Sequence, residues 1–186
     1  MTLTLNGSTN TITGLAVGGL PDGVVDTDMI AAGAVTAPKK GAGSVLQLIE
    51  GSTSNRVETS SNSFVATNLS ATITPTASSN KIFIQVSGDC NTNADDNEIK
   101  MTVYRSIDGG TFSNLGHADY GLATARSNAE RLHSGVSISF LDSPSSTAAI
   151  VYKVYVLKTS AGSGNVEFPA HDGYNKAYIH LMEIAA

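Results

Sequence analysis

The stretch Val136-Ser137-Ile138-Ser139-Phe140 places an apolar side chain at every second position, with a serine between each pair. This period of two is typical of a β-strand that has one buried side and one solvent-facing side. Ile99-Lys100-Met101-Thr102-Val103 and Ile82-Phe83-Ile84-Gln85-Val86 repeat the alternation. The pattern therefore predicts an all-β, antiparallel fold for the part of the chain that follows Gly43.

Turn residues separate these alternating runs. Ile107-Asp108-Gly109-Gly110-Thr111 predicts a tight hairpin, because glycine adopts the positive φ that such turns require. Ser143-Pro144-Ser145-Ser146 marks another turn. The runs predict eight or nine strands between Val45 and Ile184, at the spacing of a β-sandwich of the jelly-roll kind.

Two runs carry apolar residues on both faces. Residues 148–158 predict a strand that is central in its sheet or lies against another subunit. Residues 178–184 predict a final strand with two useful faces. The best helical candidate in this part of the chain is 123–132, although Ser127 and Asn128 weaken it.

The N-terminal 42 residues have a different composition, dominated by Gly, Ala, Thr, Val and Asp, and the first aromatic side chain is Phe64. Ordering a residue costs about 1–2 kcal/mol of backbone entropy, and small side chains bury little apolar area in return. We therefore predict an arm or stalk at 1–42, ordered by copies of itself or by a larger assembly, ahead of a sandwich knob at 43–186. A disordered tail is the alternative, which the regularly placed apolar residues disfavour.

The arm has one plausible short helix, at 28–32, with Gly33 as its C-terminal stop. The rest of the arm suits short extended pieces and turns. The apolar positions expected to serve docking and trimer formation in this stalk are Leu3, Leu5, Ile12, Leu15, Val17, Val24, Val25, Met29, Ile30 and Val35.

Charge and cysteine content exclude several classes of function. Eleven basic and sixteen acidic residues give a net charge of −5, which disfavours nucleic-acid binding. Cys90 is the single cysteine, so neither an internal disulfide nor a thiolate metal site is available. No run approaches the ~18 apolar residues of a membrane span, and no secretory signal is recognisable. We expect a protein made in a cytoplasm, with no nucleic-acid partner and no membrane insertion.

Two polar segments are candidate receptor-binding surfaces: the long connection 114–134 and the segment 164–175. An aromatic ring can stack on a sugar, Asp and Asn can bind hydroxyls, and Arg can bind carboxylate or phosphate. Ordinary loop polarity explains the same composition and remains the alternative. The candidate residues are His117, Asp119, Tyr120, Arg126, Asn128 and Arg131 in the first segment, and His171, Asp172 and Tyr174 in the second.

Signals for catalysis, cofactors and metals are weak. No serine lies in a Gly-x-Ser-x-Gly elbow, and no two histidines have the His-x-x-x-His spacing of a helical zinc site. Asp95-Asp96-Asn97-Glu98 offers oxygen ligands for calcium, but it lacks the EF-hand pattern, and a solvated loop is favoured. We therefore predict no catalytic residues, no cofactor and no metal.

Several segments resemble the structural proteins of marine and cyanobacterial phages. Residues 6–15, 20–25 and 31–36 resemble the N-terminal arms of tail-fibre and other virion proteins. Pro75-Thr76-Ala77-Ser78-Ser79-Asn80-Lys81-Ile82-Phe83-Ile84 and Ala177-Tyr178-Ile179-His180-Leu181-Met182-Glu183-Ile184 are similar to the β-sandwich tip domains of such fibres.

The resemblance implies a homotrimer with an intertwined stalk and a knob of three jelly rolls that resembles the tumour-necrosis-factor-like fold. It implies a non-enzymatic virion protein, most simply a tail fibre whose knob attaches to a host glycan or protein. The arm would dock to other virion proteins of the tail or capsid. The alternative is a capsid decoration or head-fibre protein, a cement protein of the same fold.

Overall fold

Two antiparallel β-sheets pack against each other in the computed structural model of the chain. The structure describes residues 4–6, 8, 11–13, 40–93, 96–128, 131–159 and 163–186. Within these ranges it contains strands and turns and no helix. The predicted all-β sandwich is confirmed.

The chain divides into two units, Met1–Lys40 and Gly41–Ala186. In the first unit, β1 (Thr4–Asn6) and β2 (Thr11–Thr13) form an antiparallel pair in which Leu5 is opposite Ile12. The predicted helix at 28–32 lies outside the described residues. So do eight of the ten predicted stalk positions: Leu3, Leu15, Val17, Val24, Val25, Met29, Ile30 and Val35.

The second unit contains two sheets of four rows each. The first sheet has, in spatial order, β3 (Val45–Thr53), β13 (Ala177–Ile184), β6 (Lys81–Thr92) and β10 (Leu132–Asp142). Two short strands extend it: β4 (Val57–Thr59) continues the row of β3, and β12 (Val166–Phe168) continues the row of β13. The second sheet has β5 (Val65–Ile73), β11 (Ile150–Thr159), β7 (Glu98–Ile107) and an outer row made of β8 (Ser113–Asn114) and β9 (Ala123–Arg126).

The order of strands along the chain is that of a jelly roll. The chain alternates between the sheets from β3 to β5, β6 and β7, stays in the second sheet for β9, and alternates again through β10, β11 and β13. The first and last long strands, β3 and β13, thereby become neighbours. Three strands of two or three residues, β4, β8 and β12, bring the number above the predicted eight or nine. Many unrelated proteins share this topology, so it does not select a function.

Alternating apolar residues fill the space between the sheets, as the sequence pattern predicts. Ile84 of β6 and Val103 of β7 are completely buried, and Ile138 of β10 is 4% exposed. The run predicted at 148–158, with apolar residues on both faces, forms β11. This strand lies between β5 and β7, as predicted for a central strand. Its Tyr152 is fully buried and donates a hydrogen bond to Asp142 Oδ2 at 2.7 Å.

The helical candidate at 123–132 is wrong. Its first four residues form β9, which pairs with Glu98–Met101 of β7, and Leu132 begins β10. Ala123 and Ala125 alternate towards the core as partly buried side chains. Backbone pairing at an open sheet edge therefore outweighs the modest helix propensity of this segment. The hairpin predicted at Gly109 is confirmed, with Gly110 N donating to Ile107 O at 2.9 Å.

A buried carboxylate, that of Glu183, joins three segments at the end of the sandwich where β3 begins. Glu183 of β13 is fully buried and accepts hydrogen bonds from Gln47 Nε2 at 2.6 Å and Asn80 Nδ2 at 2.6 Å. It also accepts bonds from the backbone N of Thr76 at 2.7 Å and from Thr76 Oγ1 at 2.8 Å. Burial alone would raise the pKa of this carboxyl, but the hydrogen bonds from Asn80, Gln47 and Thr76 hold the pKa below its usual value.

Replacing this carboxylate tests its contribution to stability. We expect Glu183→Gln to lower the free energy of unfolding near neutral pH by about 1–3 kcal/mol, because the amide cannot accept all of these bonds. A carboxyl with a depressed native pKa stabilises the fold above its unfolded pKa of about 4.3, and this contribution is lost as the pH falls through the native pKa. The difference between wild type and variant should therefore shrink in acid, as measured by urea unfolding at several pH values.

The control is Glu50→Gln, which changes a glutamate whose side chain is 55% exposed and whose described partner is His180. We expect this variant to unfold at nearly the wild-type urea concentration. A stability difference for Glu183→Gln that stays constant from neutral to acid pH would contradict the assigned role of the carboxylate.

Candidate functional site

The sandwich has two different ends. The chain enters at one end, where Gly43 N donates to Ala185 O at 2.8 Å and the C-terminal residue Ala186 lies beside Asn80. The opposite end, which we call the loop end, carries the connections after β3, β6, β9 and β11. Both predicted receptor segments reach the loop end. Strands of about ten residues separate the two ends by about 30 Å.

The first predicted segment, 114–134, is not a single loop. Its middle is β9, and the remaining excursion at 115–122 lies against the edge of β7, where Leu122 N donates to Met101 O at 2.8 Å. Two glycines permit this close approach. A Cβ at Gly116 would overlap Thr102 Oγ1, and one at Gly121, whose φ is +67°, would overlap the carbonyl oxygen of Met101.

His117 braces the tip of this excursion. Its Nδ1 accepts hydrogen bonds from the backbone N–H groups of Asp119 at 3.1 Å and of Tyr120 at 3.3 Å. The imidazole ring also lies 5.1 Å from the ring of Tyr120, measured between centroids. His117 therefore positions the two candidate residues that follow it.

The excursion forms one wall of a pocket of about 480 Å³ on the outer face of the second sheet, within the usual range of ligand pockets. We call it the β7 pocket. Its floor is made by Lys100, Tyr104, Leu157 and Thr159, and its walls by Asn62, Ser63 and Phe64 on one side and by Ala118, Asp119 and Tyr120 on the other.

Lys100 is the unusual residue of the floor, because its side chain is only 7% exposed. Its Nζ lies 4.3 Å from the centroid of the Tyr120 ring, a cation–π contact, and 3.6 Å from Glu98 Oε2. Thr159 Oγ1 donates to the same Glu98 oxygen at 2.8 Å. The ammonium is thus neutralised by one carboxylate at a distance longer than an ordinary hydrogen bond.

Two further aromatic rings, those of Tyr104 and Phe64, line the same pocket. Tyr104 stacks on Tyr155 of β11 with centroids 3.9 Å apart, and Phe64 meets Tyr104 edge to face at 6.1 Å. Tyr120 is 61% exposed and forms the rim. The β7 pocket therefore combines aromatic surface with a buried cation and with the hydrogen-bonding groups of Asn62 and Asp119.

The remaining candidates of the first segment lie outside the pocket. Arg126 ends β9 and forms an exposed ion pair with Asp96, with Nη2 and Oδ1 2.5 Å apart. Asn128 is exposed beyond the end of β9. Arg131 lies beside β10, and its Nε donates to Asn91 Oδ1 at 3.2 Å. The structure therefore does not bring the six candidates of this segment into one site.

The second segment, which contains the short strand β12, meets β10 on the side of the first sheet. His171 stacks on His133 of β10, with ring centroids 4.8 Å apart. Asp172 Oδ1 accepts a hydrogen bond from the backbone N of Arg56 at 3.1 Å. Tyr174 is 88% exposed. Arg56 also pairs with Glu167, which in turn accepts a hydrogen bond from Asn91, so Asp172 is connected to a polar network at the loop end.

A second unusual surface lies on the outer face of the first sheet. Leu48, Met182, Phe83 and Leu141 occupy matching positions on four neighbouring strands. Leu48 is 56% exposed and Leu141 is 50% exposed. Together with the adjacent Val45 and Ile184, they form a continuous apolar surface, which we call the apolar stripe. An outward face of an antiparallel sheet is normally polar, so this stripe is a candidate interface.

Other chemistry has little support among the described residues. Burial, with a smaller contribution from Asp89, raises the pKa of the Cys90 thiol to about 11, so the thiol is neutral at physiological pH. Within the described ranges, no group of three or more His, Cys, Asp or Glu residues is arranged to hold a metal ion. No helix in the same ranges has the length and apolarity needed to cross a membrane.

Sequence reasoning identified Asp119 and Tyr120 but missed the floor of the pocket. The alternation in β7 places Lys100 and Tyr104 on the outward face, so a lysine among apolar strand residues was the available signal. Phe64 and Leu157 come from other strands and connections, and no local pattern joins them to β7.

Comparisons with known proteins give no family assignment. Neither protein-family models nor curated protein sequences match this chain.

The bracing role of His117 can be tested by amide hydrogen exchange. We expect His117→Ala to accelerate exchange at the backbone N–H groups of Asp119 and Tyr120 by about tenfold, because both lose their acceptor. His117→Asn should keep exchange close to wild type, since the Oδ1 of asparagine can replace Nδ1 as acceptor. NMR exchange rates at these two amides are the measurement. Unchanged rates in the alanine variant would contradict the assignment.

Proposed function

We propose that the chain is a non-enzymatic structural protein of a phage particle, a homotrimeric tail fibre whose sandwich domain attaches to the host surface. The arm at 1–42 would dock to other virion proteins, and the protein would reside in the virion after synthesis in the host cytoplasm. The segments that resemble phage fibre arms and tips support this proposal.

The observation that carries the proposal is the polarity of the sandwich. The sandwich unit begins, at Gly41, at the end where Gly43 lies beside Ala185, and the β7 pocket and the loops lie towards the loop end. In an attachment protein, one end has to be held by the particle while the other end meets the target. Weak contacts made by linked subunits then raise the overall avidity by ~10²–10⁴ without any new type of contact.

The apolar stripe supports self-association, with other copies of this chain as its proposed occupant. The outward face of the first sheet carries few charges near the stripe: Lys81 on β6 and the pair formed by Glu50 and His180, with His180 Nε2 and Glu50 Oε2 3.1 Å apart. These charges nearly cancel, whereas the whole chain has a net charge of −5. Copies can therefore approach through this face with less repulsion than through the rest of the surface.

A capsid decoration or head-fibre protein of the same fold is the second candidate. Its sandwich would cement or ornament the shell instead of meeting a host. The exposed apolar stripe fits this role equally well, because a shell surface is also a partner for an apolar face. The position of the protein on the particle distinguishes the two functions.

Light scattering on the purified full-length chain tests the oligomeric state and the interface. We expect a mass three times the 19.2 kDa of one chain. Leu48→Glu should shift the population towards monomer, with at least about tenfold weaker association, because a charge would be buried in the stripe without a partner.

Thr72→Glu is the matched control, because Thr72 is an exposed, outward residue of β5 in the other sheet. It should leave the mass unchanged. A monomeric wild-type chain would contradict the trimer. A trimer that survives Leu48→Glu would show that the apolar stripe is not the interface.

Imaging of intact particles tests the location. A tag at Ala186 should label the tail if the protein is a fibre, and the capsid surface if it is a decoration protein. Deleting residues 1–42 should leave a folded sandwich domain, as judged by circular dichroism, that no longer joins the particle. Particles that carry no label at all, despite expression of the tagged chain, would contradict both candidates.

A further inference from the structure

We infer that the β7 pocket binds a neutral saccharide, with a sugar hydroxyl on the Lys100 ammonium and the sugar ring between Tyr120 and Phe64. This inference rests on the proposed attachment function and names the class of ligand. The pocket lies on the outer face of the second sheet, which leaves the apolar stripe on the first sheet available for association.

The ammonium of Lys100 is the group that points to a ligand. Its side chain is 7% exposed and lies in the floor of the pocket. Its carboxylate neighbour Glu98 lies 3.6 Å away, beyond ordinary hydrogen-bond length, and Nζ is not among the buried polar atoms without a partner in the described ranges, so it can be reached from the pocket. The face of Tyr120 stabilises the charge but offers no lone-pair acceptor. An oxygen atom of a ligand in the pocket would complete the coordination of Nζ.

The charges around the pocket favour a neutral ligand. Lys100 and Asp119 contribute one charge of each sign to the lining, and the charges just outside it, Glu98 and Asp96 against Arg126 and Lys153, also cancel. A carboxylate or phosphate on the ligand would therefore meet no net positive charge. A hydroxyl group accepts from Lys100 and donates to Asp119 without adding a charge.

The shape and chemistry of the walls fit a sugar ring. Tyr120 and Phe64 provide apolar surface on opposite walls, which can cover the C–H face of a pyranose. Asn62 lies in the same wall as Phe64 and offers an amide that both donates and accepts hydrogen bonds. The lining as a whole is more polar than apolar, which suits a ligand rich in hydroxyl groups.

Saturation-transfer NMR on the full-length protein provides the test. The neutral probes are the methyl glycosides of glucose, galactose, mannose and N-acetylglucosamine, and the acidic probes are glucuronic acid and N-acetylneuraminic acid. We expect transfer to at least one neutral probe. Tyr120→Ala should weaken its binding by about tenfold, whereas Tyr120→Phe should stay within about threefold of wild type because the ring is kept.

Tyr174→Ala is the matched control, because Tyr174 is an exposed tyrosine outside the pocket. It should bind as wild type does. Absence of transfer to every neutral probe, transfer only to the acidic probes, or equal transfer in wild type and Tyr120→Ala would each overturn the inference.

The imaging experiment separates this inference from the proposed function. Particles that carry the tagged chain, together with a protein that binds no neutral sugar, would overturn the saccharide site and leave the virion role in place. Sugar binding that depends on Tyr120, by a chain that no particle carries, would support the site and overturn the virion role.

Discussion

The rest of the structure depends on the position of the C-terminal strand β13 between β3 and β6. Pairing on both sides satisfies the hydrogen-bonding groups of the β13 backbone. It also places the last strand of the sandwich beside β3, its first strand. Its inward residues Ile179 and Leu181 are fully buried, and each contributes on the order of 1.5–3 kcal/mol of hydrophobic stabilisation. Its outward Met182 contributes to the apolar stripe, so one strand links the core to a candidate interface.

The two outer faces of the sandwich have different chemistry. The first sheet presents an uninterrupted apolar stripe, and the second presents a pocket in which an aromatic rim covers a buried lysine. Such a division allows one face to associate with other copies while the other remains open to a ligand. Within the sandwich unit, Gly43 lies beside Ala185, at the end opposite the loops.

Sequence reasoning was most successful where one face of a strand is buried. The alternation around Ile84, Val103 and Ile138 predicted strands and their inward residues, because a period of two can satisfy only one buried face. It failed at 123–126, where two alanines and Arg126 favour helix locally but pairing with β7 decides the conformation. Sequence reasoning also grouped nine candidate receptor residues by segment. In the structure, Arg131 lies beside the first sheet and Tyr120 lies beside the second.

The sequence by itself determined the strand class, the Gly109 turn and the polar composition of the loops, because each follows from local periodicity or backbone freedom. Only the tertiary structure decided that Leu48 and Leu141, 93 positions apart in the chain, share one stripe, and that Tyr120 lies over Lys100. The physical reason is that register and sheet order arise from pairing between distant strands. A local pattern specifies which side of a strand is apolar, but not which neighbour lies beside it.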